Sequence, residues 1–261
     1  MDILLSTYGD RILKIYRLVD SIDFENFNLI ICHQYIDEPT NETRRFINKL
    51  CLIPQVSYFS MANMGVTTSR NFLIRKSVGE YIVFCDDDIV YIKGALLKII
   101  KAMRAECIDI ATGITMISQN DKLKPYPEKK HKHNLKSIMR VGTVEIICRR
   151  ESILESGLFP EDMGAGTKFP ICDEPVFLAN SIKKGANVVF IPEPISIHPA
   201  LSSGFQTFPH FTMSRGLCFK RVFGWYGFFL IIPFAVRMYS KNKKINFYTF
   251  LRDMIRGFYA K

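Results

Sequence analysis

Cysteine is sparse and unpatterned in this chain. Its seven cysteines include no CxxC pair, which removes a thiolate zinc site and a disulfide framework and leaves a reducing compartment as the simpler reading. There is no internal repeat. A membrane-spanning helix needs about 20 apolar residues. The uncharged run Phe223–Val236 has 14 and is interrupted by Gly224, Gly227 and Pro233, so no confident span is present. The opening Asp2–Thr7 lacks the basic start and longer apolar run of a secretory signal, and none is expected. Acids are nearly missing from residues 215–261, where Asp253 is the only one among 47 residues.

What is present fits a folded chain. At 261 residues, 48% hydrophobic and 23% charged, the chain can bury a large core and is neither disordered nor fibrous. The formal net charge of +10 suggests nucleic acid until it is located. Residues 215–261 hold ten Lys and Arg against Asp253, together with 13 of the 33 aromatics. A nearly neutral body therefore carries a basic, aromatic tail, and no nucleic-acid partner is expected.

Short apolar runs alternate with helical patterns. Asp2–Thr7, Asn28–Cys32, Gln55–Phe59 and Tyr81–Cys85 read as strands, with helices over residues 12–22, Thr40–Leu50 and Val66–Ser77 between them. This predicts a mainly parallel sheet with helices on both faces. A helix over Leu96–Ala105 follows, then an extended stretch over 108–117 and a polar loop over 120–136. Val141–Arg149 reads as a strand, 157–172 as a loop and Glu174–Lys184 as a helix. Val188–Ile191 and Ile195–His198 read as two short strands separated by Pro192 and Pro194. Ligands of such sheets bind at the carboxyl ends of the strands.

The chemistry concentrates at those ends. Asp86, Asp87 and Asp88 directly follow the strand YIVFC. Three adjacent carboxylates repel one another unless a cation gathers them, and Asp86 and Asp88, two apart, can converge on one divalent ion. Arg70, one turn into the helix after Asn63-Met64-Gly65, can face a phosphate or pin a carboxylate. Asp173 and Glu174 begin a helix, where the dipole favours acids, and either can serve as a general base. His198 ends a strand and becomes a metal ligand if that end borders the three acids. His33, His131, His133 and His210 are read as solvent or packing residues.

The opening LLSTYGDR, the block NMGVTTSRNFLIRKSVGEYIVFCDDD, the loop GAGTKFP and the segment CDEPVFLANSIKKGANVVFIPEPISIHP together resemble a family 2 glycosyltransferase of the GT-A fold, of the bacterial polysaccharide type. The resemblance covers residues 1 to about 204. It implies that Thr7 and Tyr8 contact the nucleoside, that Asp86, grouped with Asp87, lies near the ribose and metal, and that Asp88 ligates Mn2+ or Mg2+ between donor phosphates. Arg70 lies in the Arg-Asn signature, and His198 falls where some members have a metal-binding histidine. After the second strand the family usually has an acid. Cys32-His33-Gln34 stands there instead, leaving Gln34 as the candidate for reading the base. The usual Glu-Asp is reversed to Asp173-Glu174, so Glu174 is the base by position and Asp173 by residue type.

The expectation is an inverting, metal-dependent transferase of residues 1–204, moving a sugar from a nucleotide donor to a hydroxyl of a lipid-linked saccharide. Residues 205–261 form a mostly helical amphipathic tail. Basic flanks around FGWYGFFLIIPFAV and the stretch INFYTFLRDMIRGFY suit an anionic membrane surface, contacted through residues 215–261 at the cytoplasmic face in a peripheral or monotopic manner. The tail can instead pack on the body or join two copies as a homo-oligomer. Two other readings compete. A sugar-phosphate nucleotidyltransferase would need a Gly-rich, basic N-terminal loop, and STYGDR is a poor one. A membrane- or RNA-binding module leaves the three acids unexplained.

Overall fold

The computed structural model describes residues 1–198, 208–241 and 246–260. In chain order its elements are β1 Asp2–Tyr8, a 3-10 turn Gly9–Lys14, α1 Tyr16–Ser21, β2 Asn28–Gln34, α2 Asn41–Leu50, β3 Val56–Met61 and α3 Val66–Lys76. There follow β4 Tyr81–Cys85, β5 Val90–Tyr91, α4 Ala95–Ala105, β6 Ile110–Met116, β7 His131–Lys132, β8 Ile146–Arg149 and α5 Arg150–Ser156. The chain continues through α6 Asp173–Lys183, β9 Val188–Ile197, α7 Pro209–Phe223, α8 Tyr226–Lys241 and α9 Phe247–Phe258.

One sheet runs β3-β2-β1-β4-β8-β6-β9-β5, with β7 paired to β9. β1 to β4 are mutually parallel, as are β6 and β9. β8 is antiparallel to both β4 and β6 and so joins the two parallel sets. Side chains alternate across the sheet. Ile3 and Leu5 enter one core with Leu18 of α1, Leu50 of α2 and Ile99 of α4. Leu4, Ile82 and Phe84 enter the other with Leu73 of α3, Ile153 of α5 and Phe177 of α6. Burial on both faces is why these strands read as continuous apolar runs. The fold is the expected mixed α/β architecture, with a helical C-terminal region.

Several elements differ from expectation. The first helix is split, because a 3-10 turn precedes α1. Only the end of 141–149 is strand. A 3-10 turn over Thr143–Glu145 turns the buried Glu145 inward, where it accepts from Tyr126 Oη at 2.7 Å and pairs with Lys124 Nζ at 2.5 Å. α5 carries no sequence expectation. β9 is a single strand through Pro192 and Pro194, and its register against β6 shifts beside Pro194. A bulge there needs no ladder donor from proline.

The division expected between residues 204 and 205 falls outside the described residues. Beyond it, Leu217, Cys218 and Val222 of α7 pack in the same core as Phe84 and Phe177. Arg215 is buried in α7 and so adds nothing to a basic surface, contrary to its place in the 215–261 membrane segment. α7 and α9 touch backbone to backbone. A Cβ at Gly216 would stand 1.9 Å from the Met254 carbonyl oxygen, and one at Gly257 1.9 Å from that of Met213. Arg221 of α7 grips Asp162 of the 157–172 loop through two bonds of 2.6 Å.

Candidate active site

Parallel pairing brings the ends of β1, β2 and β4 together, and with them most of the expected residues. Asp87 points inward. Thr7 Oγ1 donates to its Oδ2 at 2.8 Å, and Arg11 Nε donates to both oxygens at 3.1 and 2.8 Å, with the Arg11 terminal nitrogen adding a further contact to Oδ1. Thr7 and Asp87 are both buried. Through these bonds their side chains brace the turn that carries Asp86 and Asp88. Arg11 had no sequence expectation. It also lies 3.7 Å from Asp88, so it supplies positive charge to a turn of three acids. Tyr8 ends β1 with its side chain exposed. Gln34 is buried, and its Nε2 donates to Asn63 Oδ1 at 2.8 Å.

Asp88 meets His198. Val90 of β5 pairs with Ile197 of β9, so the residues just outside that pairing face each other, and His198 Nε2 lies 3.2 Å from Asp88 Oδ1. That oxygen is shut off from solvent and lacks a partner of hydrogen-bond geometry. A carboxylate oxygen shut off from solvent and facing an imidazole nitrogen is a donor set that fits a divalent cation of the Mn2+ type, which takes both oxygen and nitrogen. Asp86 Oδ1 accepts from Arg70 Nη2 at 3.4 Å, and it lies near enough to Asp88 and His198 to feel the charge of both. Among the described residues no three His, Cys, Asp or Glu side chains converge.

Arg70 links the two halves of the site. Buried on α3, it donates from Nη1 to Asp173 Oδ2 at 2.8 Å and from Nη2 to Asp86 Oδ1 at 3.4 Å, with its guanidinium 5.5 Å from the Phe159 ring centre. Of its two sequence readings, the structure has it pinning carboxylates. The 163–167 loop passes over the start of α3: Val66 N donates to Ala165 O at 2.9 Å and Thr67 Oγ1 to Met163 O at 2.8 Å. Gly164 makes this crossing possible. Its φ is +99°, and a Cβ there would stand 2.8 Å from Val66 Cγ1 and 3.1 Å from Asp173 Cγ.

Cys172, immediately before α6, takes a left-handed conformation with φ 72°. Such a backbone is uncommon for a residue with a side chain. It delivers two carboxylates to different surroundings. Asp173 is buried, and its pKa is raised by burial and by the neighbouring Glu174, with Arg70 pulling the other way. Glu174 is half-buried and accepts from Thr143 Oγ1 at 2.5 Å. Asp173 is thus committed to Arg70, while Glu174 keeps a partly open carboxylate steadied by one hydroxyl. Thr143, another residue without a sequence expectation, is a positioning residue for it. Thr143→Val is expected to lower kcat about tenfold, the upper range for one hydrogen bond to a charged group, with KM for donor unchanged. Thr143→Ser should restore kcat. Equal activity of the valine variant would remove Thr143 from this role.

Comparison with known proteins places the fold and the family. The chain is 33% identical over 79 residues to an uncharacterized glycosyltransferase of Rickettsia bellii, a match covering 30% of this chain. The match spans only about a tenth of that relative, 11% of its length. The fold is similar to S. aureus TarS 1-349 in complex with UDP-GlcNAc, with TM-score 0.68 and 14% identity over 95% of this chain and 75% of that one. It is also similar to the mannosyltransferase PcManGT from Pyrobaculum calidifontis in complex with GDP-Man and Mn2+, with TM-score 0.58 and 12% identity over 98% of this chain and 73% of that one. Residues 9–154, more than half the chain and including β2 to β4 with the three acids that follow β4, match the model of Glycosyl transferase family 2. The chain belongs to that family.

Proposed function

We propose that this chain is a glycosyltransferase that transfers a sugar from a nucleoside diphosphate sugar to a hydroxyl of a lipid-linked saccharide, with inversion, at the cytoplasmic face of a membrane. The observation that carries the reading is the division of labour around Arg70. One acid on each side of it is held by the guanidinium, and Glu174 is left open and steadied by Thr143. A carboxylate so placed is a general base. Glu174 takes the proton of the acceptor hydroxyl as its oxygen attacks the anomeric carbon from the face opposite the diphosphate, and one such displacement inverts that centre. Tyr8 and the Gln34–Asn63 pair, at the ends of β1 to β3, would receive the nucleoside. Support for such a donor comes from the UDP-GlcNAc and GDP-Man complexes of similar fold.

Asp88 and His198 would hold Mn2+ or Mg2+, which when bound supplies Lewis-acid neutralisation of the charge that builds on the leaving diphosphate. Residues 1–204 would form the catalytic unit and 205–261 the membrane-associating segment. Family membership supports sugar transfer over the nucleotidyltransferase and non-catalytic readings.

Thermal-shift measurements against UDP-, GDP-, CMP- and dTDP-sugars, each with and without Mn2+ or Mg2+, test the donor. A ligand that binds only the folded chain raises the midpoint, by about 2.7 kcal/mol of stability at a hundred times its Kd. One nucleotide class is expected to act, and more strongly with metal. In Asp88→Asn the metal-dependent part should vanish. An unchanged metal titration in that variant would reject the Asp88 assignment, and silence from every nucleotide sugar would reject the donor class.

A further inference from the structure

We infer that the outward face of α8, with cations at its two ends, is a docking surface on which the protein lies against an anionic lipid bilayer. Helices at a protein surface normally turn their apolar stripe inward. α8 is apolar on both sides. Gly227, Ile231 and Ala235 face the protein interior. On the opposite side Tyr226 is 81% exposed, Phe229 73%, Ile232 57% and Val236 51%, with Pro233 exposed among them. The first charged residue of the helix is Arg237. A water-facing stripe of this kind marks an interaction surface.

Its surroundings identify the occupant. Arg237 and Lys241 stand exposed at one end. At the other, Lys220 lies over the ring of the exposed Trp225, 3.2 Å from its centre. On α9, Arg252 and Arg256 are exposed beside Tyr248, which is 82% exposed. The sole acid of the region, Asp253, is buried and already paired to both arginines. Every exposed charge that the described residues of α8 and α9 present is therefore positive. A second copy docked on the same face by a twofold axis would set this patch against itself, cation against cation. An anionic headgroup layer meets the apolar stripe and the cations at its ends at once, with tryptophan and tyrosine at the boundary. No described helix is long and apolar enough to cross a membrane, so α8 lies in the interface plane. This rests on the membrane reading above but does not depend on the chemistry of transfer.

Flotation of the full chain with vesicles tests it, using pure phosphatidylcholine and phosphatidylcholine with 30% phosphatidylglycerol. Wild type is expected to float with the anionic vesicles, and far less with neutral ones or at high salt. Phe229→Glu with Val236→Glu should abolish flotation. Arg237→Glu with Lys241→Glu should weaken it by at least about 25-fold, roughly five-fold for each cation lost. All four positions are exposed, so Tm and donor-induced thermal shifts should stay at wild-type values in both variants. If the first variant misfolds, the second carries the test alone. Failure of wild type to float, or undiminished flotation of folded variants, overturns the inference while a surviving donor shift leaves the transferase reading intact. A concentration-dependent dimer dissolved by Phe229→Glu with Val236→Glu would assign the face to a second copy and overturn it equally.

Discussion

Glu174→Gln is expected to bind donor as wild type does and to transfer about 10²–10⁴-fold more slowly, the usual contribution of a positioned general base. The substitution keeps shape and removes basicity. The Gln carbonyl oxygen can still accept from Thr143 Oγ1, which is 2.5 Å from the native carboxylate, so the loop and the start of α6 stay in place. Steady-state kinetics should show the loss in kcat with little change in donor KM. Asp173→Asn behaves differently, because it removes a buried ionic partner of Arg70 and should lose stability along with activity. Wild-type turnover in Glu174→Gln would transfer the base role to Asp173 or dismiss this site.

The largest effect on stability is expected at Arg70. Its guanidinium and the Asp173 carboxylate are both nearly inaccessible, with side-chain exposures of 6% and 5%. Removing one partner of a buried pair leaves an uncompensated charge and costs about 3–5 kcal/mol. Arg70→Met should therefore lose about that much in urea unfolding without metal, although methionine fills much of the same space beside Phe159. Arg70→Lys cannot present two donors in the planar fork that spans Asp86 and Asp173, and should fall between the two. A loss below about 1 kcal/mol in Arg70→Met would mean that Asp173 is carried neutral and that the pair does not brace the site.

The features that could be read in the sequence are the local ones. DILLST and YIVFC are unbroken apolar runs because both faces of β1 and β4 are covered, and DDD sits at the end of one of them. Thr40 caps α2 by accepting from Thr43 N, as its type and place suggest. What could not be read depends on partners distant in the chain. Arg11 is 76 residues from Asp87, Thr143 is 31 from Glu174, and Asp173 is 103 from Arg70. A lone arginine after a strand or a threonine before one has many innocuous uses, and only the closed sheet selects between them. The same holds for Asp87. Its residue type matched its neighbours, but alternation along the turn sent its side chain inward, to Thr7. β9 was divided at its prolines because a bulge against β6 has no signature within β9 itself.

The position of β9 has a consequence for the order in which the chain assembles. β1 to β4 need nothing beyond residue 85 to pair with one another. Asp88 and His198 meet where β5 pairs with β9, more than 100 residues further along the chain. During synthesis the ends of β1 to β4 therefore have their backbone framework long before the Asp88–His198 pair exists. Closing contacts of such long sequence separation is the slow part of folding. A chain halted before β9 would hold strand ends with three clustered acids and no His198 to share their charge. Completion of the catalytic centre and completion of the sheet are the same late event.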